Sequence, residues 1–186
     1  MADENLVALL RQGANEWNAW RKRGKQNAID LSEADLRGAI LTGAYLHGAD
    51  LFRANLGGAN LGGANLSGAN LTGATFHEVV LHETVLTDVD LSAVTGLETC
   101  RHRGPSIIDY RTLQRSGCLP MAFLRGVGLP NKFIEFLPSL LNQPIQMYSC
   151  FISHSSKDKD FAERLQADLQ NKGVRCWFAP HDLQIG

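Results

Sequence analysis

The side chains of this 186-residue chain that could do chemistry are few and scattered. His77-Glu78-Val79-Val80-Leu81-His82 approaches a zinc-binding HExxH box, in which two imidazoles one helical turn apart hold the metal and the glutamate serves as base. These histidines stand five positions apart, so they do not share a helix face, and a solvated surface is the expectation. His154 and His181 would titrate near neutrality if they met, but each reads more simply as an independent loop residue. Asp158, between Lys157 and Lys159, opens a helical pattern in which it could cap the first turn or the lysines could draw an anion; the cap is the simpler use. Cys100, Cys118, Cys150 and Cys176 show neither close pairing nor metal-ligand spacing, which fits reduced thiols. The glycines from Gly57 to Gly73 are not followed by the Lys-Ser/Thr of a phosphate loop. No metal site is expected, and function has to be sought in how the chain is organised.

A leucine stands at every fifth position from Leu31 to Leu91, interrupted only by Phe76, and two places before each is a small residue, usually alanine. Five matches neither the helical nor the strand period, so no single regular element keeps these leucines on one side. Ala34 and Leu36 are two apart and share a face of a short extended piece, whereas the step from Leu36 to Ala39 needs a turn. Glycine stands at that corner in Gly38, Gly43, Gly48, Gly58, Gly63, Gly68 and Gly73, as a turn demanding positive φ would select.

The units ADLRG, ADLFR, ANLGG, ANLSG and ANLTG, beginning at Ala34, Ala49, Ala54, Ala64 and Ala69, resemble those of the pentapeptide-repeat family. The resemblance implies a right-handed, four-sided (quadrilateral) β-helix with one coil per four units, Ala34 through Leu91 projecting inward in alternating small and large layers. Thirteen consecutive units make just over three coils. Alanine gives way to Val79, Thr84, Val89 and Val94 in the last units, which predicts a wider cross-section and different corners there.

An open β-helix needs a cover at each end. Leu6, Leu9, Leu10, Trp17 and Trp20 fall on one face of a helical pattern, with Arg11, Glu16, Arg21 and Lys22 off it, and predict an amphipathic helix over 4–23 capping the column. A membrane-surface helix is disfavoured by the short apolar stripe. The acidic start of the chain and the brevity of the Leu6 to Leu10 run do not make a signal peptide, and Glu135 and Pro138 interrupt the most apolar later stretch, so a cytoplasmic protein without a membrane partner is expected.

Net charge is only −1 but uneven: residues 29–96 carry eight carboxylates against two arginines (−6), and 97–147 carry three against six cations (+3). Some pentapeptide-repeat proteins imitate DNA and bind topoisomerases, which an acidic column invites. The uncharged stretch Gly57 to Gly73 and the short column argue against that and against a nucleic-acid partner. Past residue 96 the period is lost; Ile108 to Arg115, Met121 to Arg125 and Asn131 to Leu141 read as helices of a connector, the last presenting Phe133, Phe136, Leu137 and Leu140.

Near the C-terminal end, an apolar strand from Met147 to Ser153 is followed by a polar loop, His154 to Asp158. A helix carrying Phe161, Leu165 and Leu169 comes next, then a glycine stop at Gly173 and an alternating strand ending at Pro180. That is a βαβ unit, whose functional groups gather in loops at the carboxyl ends of the strands. Tyr148 to Asp158 (YSCFISHSSKD) resembles the first box of a TIR (Toll/interleukin-1 receptor) domain, and Arg175 to Gly186 (RCWFAPHDLQIG) the second box leading into the BB loop. The resemblance covers only the opening βαβ part of a flavodoxin-like α/β domain. His154 stands where tyrosine is frequent, and His181 where an acidic residue is.

Two roles follow from the TIR resemblance. Many bacterial TIR domains cleave NAD at the nicotinamide glycosidic bond, and many self-associate through the BB loop. By position Ser155 and Ser156 would border the nucleotide, while Ala179, Pro180, His181, Asp182, Leu183, Gln184, Ile185 and Gly186 would supply the interaction loop. The family's catalytic glutamate is expected beyond Gly186 and Glu163 lies on the first helix, so residues 1–186 alone are expected to hold no cofactor and not to turn over NAD. Because two strands and one helix leave Phe151, Ile152, Trp177 and Phe178 partly exposed, a fragment or truncated frame is expected rather than a self-sufficient module.

The expected organisation is thus mainly β. A helical cap occupies 1–28, a β-helix 29–96, a helical connector 97–147 and an incomplete TIR domain 148–186. The expected function is signalling or defence of bacterial type through protein partners, including self-association. The competing reading is a purely structural pentapeptide-repeat interaction protein.

Overall fold

The computed structural model describes residues 2–24, 29–141, 149–152, 159–171 and 175–178. They divide into two compact units, Met1–Pro138 and Ser139–Gly186. The first is built on the five-residue period. Within one unit Ala34 and Leu36 point inward, and the Ala39 N–H closes a turn onto Leu36 O at 3.1 Å, with Gly38 at φ 65°. The Asp35 carboxylate accepts from the Arg37 N–H, a side-chain turn that explains why Asp or Asn recurs at the outward position. Asn55, Asn60, Asn65 and Asn70 do the same for Gly57, Gly62, Ser67 and Thr72. Positive φ recurs at every fifth residue from Glu33 to Asp88, seven of them glycines and five of them Glu33, Arg53, Glu78, Glu83 and Asp88.

Successive coils are joined by parallel bridges twenty residues apart, as Asp35 to Asn55, Ile40 to Asn60 and Tyr45 to Asn65. Two short strands, β1 (Ile29–Asp30) and β2 (Ala49–Asp50), keep the same interval. Four units therefore complete one coil, and the column is a β-helix. Every leucine of the period, with Phe76 in the same slot, is at most 1% exposed. Each contributes on the order of 2 kcal/mol of burial. Thr84, the polar member of the small layer, is also buried, its hydroxyl donating to Leu61 O at 2.9 Å.

Parallel pairing continues past residue 96. β3 (Val80–Leu81) pairs with β5 (Arg101–His102) at an interval of 21, and β4 (Val85–Leu86) with β6 (Ile107–Ile108) at 22. The extra residues are taken up by the 3-10 turn Leu97–Thr99 and by the bend before Ile107, so the corners change where the glycine period ends.

At the first end the single helix expected over 4–23 is two: α1 (Glu4–Gln12) and α2 (Ala14–Arg23), broken at Gly13, whose φ of 134° no other residue adopts comfortably. The break turns both Leu10 and Trp17 fully into the column's core, with Leu6, Leu9 and Trp20 packed beside them. The cap also meets edge groups of the first coil. Asp3 N–H donates to Asp30 O, Arg11 to Asp35 O, Trp17 Nε1 to Tyr45 O at 2.9 Å, Asn18 Nδ2 to Gly43 O and Arg21 to His47 O, while Tyr45 N–H donates to Asn18 Oδ1.

At the other end a helix stands in for the missing strand. In α3 (Tyr110–Ser116), Thr112 Oγ1 donates to Leu86 O at 2.9 Å and accepts from Val89 N–H, and Ser116 Oγ accepts from Leu91 N–H. Asp109, the N-cap, accepts from both Thr112 N–H and Asp88 N–H. Phe123 and Val127, in and just after α4 (Met121–Gly126), close the core. In α5 (Asn131–Leu141) the buried pair is Ile134 and Leu137, whereas Phe133 and Phe136 are exposed. The expected Phe-led face is corrected: apolar residues at 133, 134, 136, 137, 140 and 141 spread over an arc of about 160°, nearly half the helix circumference, so periodicity alone does not choose which part of that arc is buried.

The second unit holds β7 (Ser149–Ile152), α6 (Lys159–Asn171) and β8 (Arg175–Phe178). The strands are parallel in the register Ser149 to Arg175 through Ile152 to Phe178, a βαβ unit as the sequence predicts. On α6, Ala162 is buried and Phe161 is 66% exposed. No helix among the described residues is long and apolar enough to cross a membrane.

Candidate interaction site

Ser155 and Ser156, between β7 and α6, and the loop Ala179, Pro180, His181, Asp182, Leu183, Gln184, Ile185 and Gly186 after β8 lie outside the described residues. So do His154 and Asp158. The described parts of this unit are the parallel strands that would position those loops and the α6 face, where Phe161 and Leu165, one turn apart, are both exposed.

The column's charges are less available than their number suggests. Asp35 takes a bidentate pair from Arg37 at 2.8 Å and lies 3.9 Å from Arg11. The hydrogen bonds from Arg37 hold its carboxyl down to about 2. Glu78 pairs with Arg101 at 2.9 Å, and Asp88 with Arg115 at 2.8 Å and Arg111 at 3.7 Å. The basic connector thus neutralises part of the acidic column. Asp50 accepts from Asn70 Nδ2, tying outward side chains of successive coils. His77 meets the Thr99 hydroxyl at 3.1 Å, while His82 lies 3.9 Å from Glu83. They sit at the turns of consecutive units, and no group of three or more metal-ligating side chains occurs among the described residues.

Four connector groups have displaced protonation, one of them Arg111, which its hydrogen bond to Asp109 raises. Burial pushes the Asp109 carboxyl up, but the bonds from the Asp88 and Thr112 amides and from Arg111 outweigh it and hold it well below the usual carboxylate range. Burial raises the Cys100 thiol to about 12, and Cys118 is exposed. A native chain treated with iodoacetamide at pH 8 is therefore expected to be alkylated at Cys118 and spared at Cys100 until denaturant is added, as read by peptide mapping. Equal labelling of both would mean that the Cys100 turn opens freely.

His102 packs edge-on to Phe123 with 5.6 Å between ring centroids, and both its ring nitrogens are covered without a hydrogen-bond partner among the described residues. Burial lowers its pKa below 6.5. The fold therefore accommodates neutral imidazole. This contribution is fully present above pH 6.5 and is lost as pH falls from there through the folded pKa. The urea midpoint is expected to drop between pH 7.5 and 5, and His102→Phe is expected to flatten that slope; an unchanged slope in the variant would place its origin elsewhere.

Residue-by-residue reading of the sequence did not find the Asp109, Thr112 and Ser116 set, although an Asp followed three residues later by Thr at a helix start is a visible capping signal. Nor did it single out Ile40, a large apolar residue at an outward slot where Asp and Asn predominate.

Comparison with family models decides what the column is. A model described as pentapeptide repeats matches eight copies, over residues 29–68 and 54–92. Residues 29–92 are pentapeptide repeats. A TIR domain model matches residues 150–186, the span of β7, α6 and β8. No curated protein matches this chain. Solved structures similar to it are themselves pentapeptide repeat proteins. HetL, described as involved in heterocyst differentiation regulation in the cyanobacterium Nostoc, is 38% identical over 43% of this chain and 36% of its own, with a TM-score of 0.41. A second Nostoc protein is 25% identical over 60% of this chain and 83% of its own, with a TM-score of 0.46. One from the thylakoid lumen of Arabidopsis thaliana is 45% identical over 28% and 39%, with a TM-score of 0.26. The chain thus spans little more than a third of the length of HetL.

Proposed function

We propose that the pentapeptide column is a rigid scaffold for a TIR segment that works by protein-protein association, including self-association, in a bacterial-type cytoplasmic signalling or defence protein. The observation that carries this is the coincidence of the TIR match with a strand-helix-strand unit in parallel register, following a repeat column closed at one end by its own helices and bound at the other by α3 and α4. A right-handed, four-sided course of the coil is part of the same reading, supported by four units per coil. Ser155 and Ser156 would border a nucleotide and Ala179 to Gly186 would form the contact loop. NAD would be a substrate of a complete TIR domain. Duplex mimicry is disfavoured, since Asp35, Glu78 and Asp88 are paired to arginines and not presented as a free anionic array.

Sedimentation velocity over a concentration series tests this. Association of residues 1–186 that disappears when 148–186 are removed supports contacts through the TIR segment. Association that survives the deletion shifts the working part to the column, and none at any concentration overturns self-association. Nicotinamide release from NAD by residues 1–186 is expected to be absent; turnover that vanishes on truncation before Tyr148 would overturn that part.

A further inference from the structure

The cap leaves one quarter of the first coil bare. In a parallel ladder a bridging residue turns its own N–H and C=O to one side while its flanking residues bond the neighbour on the other. Asn60 donates to Ala39 O and accepts from Leu41 N–H, so the N–H and C=O of Ile40 point off the column. At the sister positions the corresponding carbonyls are met, Asp30 by Asp3, Asp35 by Arg11 and Tyr45 by Trp17, and the Tyr45 N–H is met as well, by Asn18. Among the described residues, no cap hydrogen bond lands between residues 36 and 42. The Ile40 side chain is 73% exposed. Beside it lies a cleft of about 750 Å³ between the Gly13 corner of the cap and the Arg37 to Thr42 edge.

We propose that this edge receives an extended peptide segment of a partner protein by strand addition, with an apolar residue lying against Ile40. The unmet N–H and C=O ask for another extended backbone, which supplies one of each; Asn18 and Trp17 supply the same pair in side-chain form at Tyr45. The cleft is of a size that takes a small ligand or a short segment, not a folded surface. Its charged lining is Arg11, Arg37 and Glu16, and Asp35 beside it pairs with both arginines, so two cations and two carboxylates balance there. A segment without net charge suits that balance. This names a partner class for the scaffold reading and rests on it.

The test uses residues 1–186 and a pool of acetylated, amidated heptapeptides in which valine or isoleucine alternates with threonine or glutamate. Expected are at least tenfold slower exchange of the Ile40 amide, read by NMR, and no slowing with the same pool N-methylated at every backbone amide. Ile40→Pro removes the outward N–H and no ladder bond, and is expected to weaken binding at least tenfold by fluorescence anisotropy, while Ile40→Val retains it. Unchanged Ile40 exchange at saturating pool, or equal protection by the methylated pool, overturns the proposal. Should Ile40→Pro unfold the column, the exchange measurement on the unaltered chain decides. Sedimentation reads association through 148–186 and Ile40 exchange with and without the pool reads strand addition, so a failure of the TIR-contact reading and a failure of strand addition are separately visible.

Discussion

Leu61→Ala is expected to cost the column about 3–5 kcal/mol of unfolding free energy. Leu61 is fully buried in the middle of the repeat. The bridge of Ile40 to Asn60 and that of Asn60 to Val80 place it between Leu41 of the coil before and Leu81 of the coil after. A cavity left there cannot close by a rigid shift, because Leu61 N–H bonds Val80 O at 2.9 Å and Leu41 N–H bonds Asn60 O at 2.9 Å, fixing the spacing of the layers. Leu61→Met, which roughly conserves volume, is expected to cost less than about 1.5 kcal/mol. Urea unfolding of both variants checks this. A loss below about 1 kcal/mol for the alanine variant would mean that the column does not hold its leucines in fixed layers.

Gly96→Ala is the second large effect, on the order of 3 kcal/mol, from backbone strain together with overpacking. Gly96 has φ 83°, and a Cβ there would stand 2.6 Å from the His77 amide nitrogen and 2.8 Å from its Cα. Both are backbone atoms of the coil's own ladder, so nothing flexible can yield. Gly58 separates the two contributions. Its φ is 69° but a Cβ would meet nothing within 4 Å, so Gly58→Ala should lose only about 1 kcal/mol. Thermal or urea unfolding of the pair gives the difference; equal losses would assign the whole effect to φ and none to the contact.

Much of the column was legible because each position in the five-residue unit has one task. Leucine fills, alanine leaves room, glycine turns, and Asp or Asn ties the turn. Where a residue has two tasks, the pattern fails to show them. Gly13 breaks a helix whose apolar stripe runs on unbroken in sequence, since Leu10 and Trp17 still fall where one helix would put them. The pairing through Arg101–His102 and Ile107–Ile108 was hidden because intervals of 21 and 22 carry no repeating signature. Thr112 and Ser116 were opaque for another reason: hydroxyls in a helix give no sign that they will act as the backbone of an absent strand. The βαβ unit was read correctly from alternation and length, but its proposed loops, Ser155, Ser156 and Ala179 to Gly186, belong to residues not described, and their roles rest on family resemblance.

The twenty-residue interval makes the column a screw thread with four stops per revolution. Duplicating four units would lengthen it by one pitch, about 4.8 Å, and leave the chain's point of departure on the same side. Duplicating one unit would move that departure on by a quarter of a revolution and part Thr112 from Leu86. Growth by whole coils should therefore be tolerated, whereas growth by single units would oblige the connector to be rebuilt.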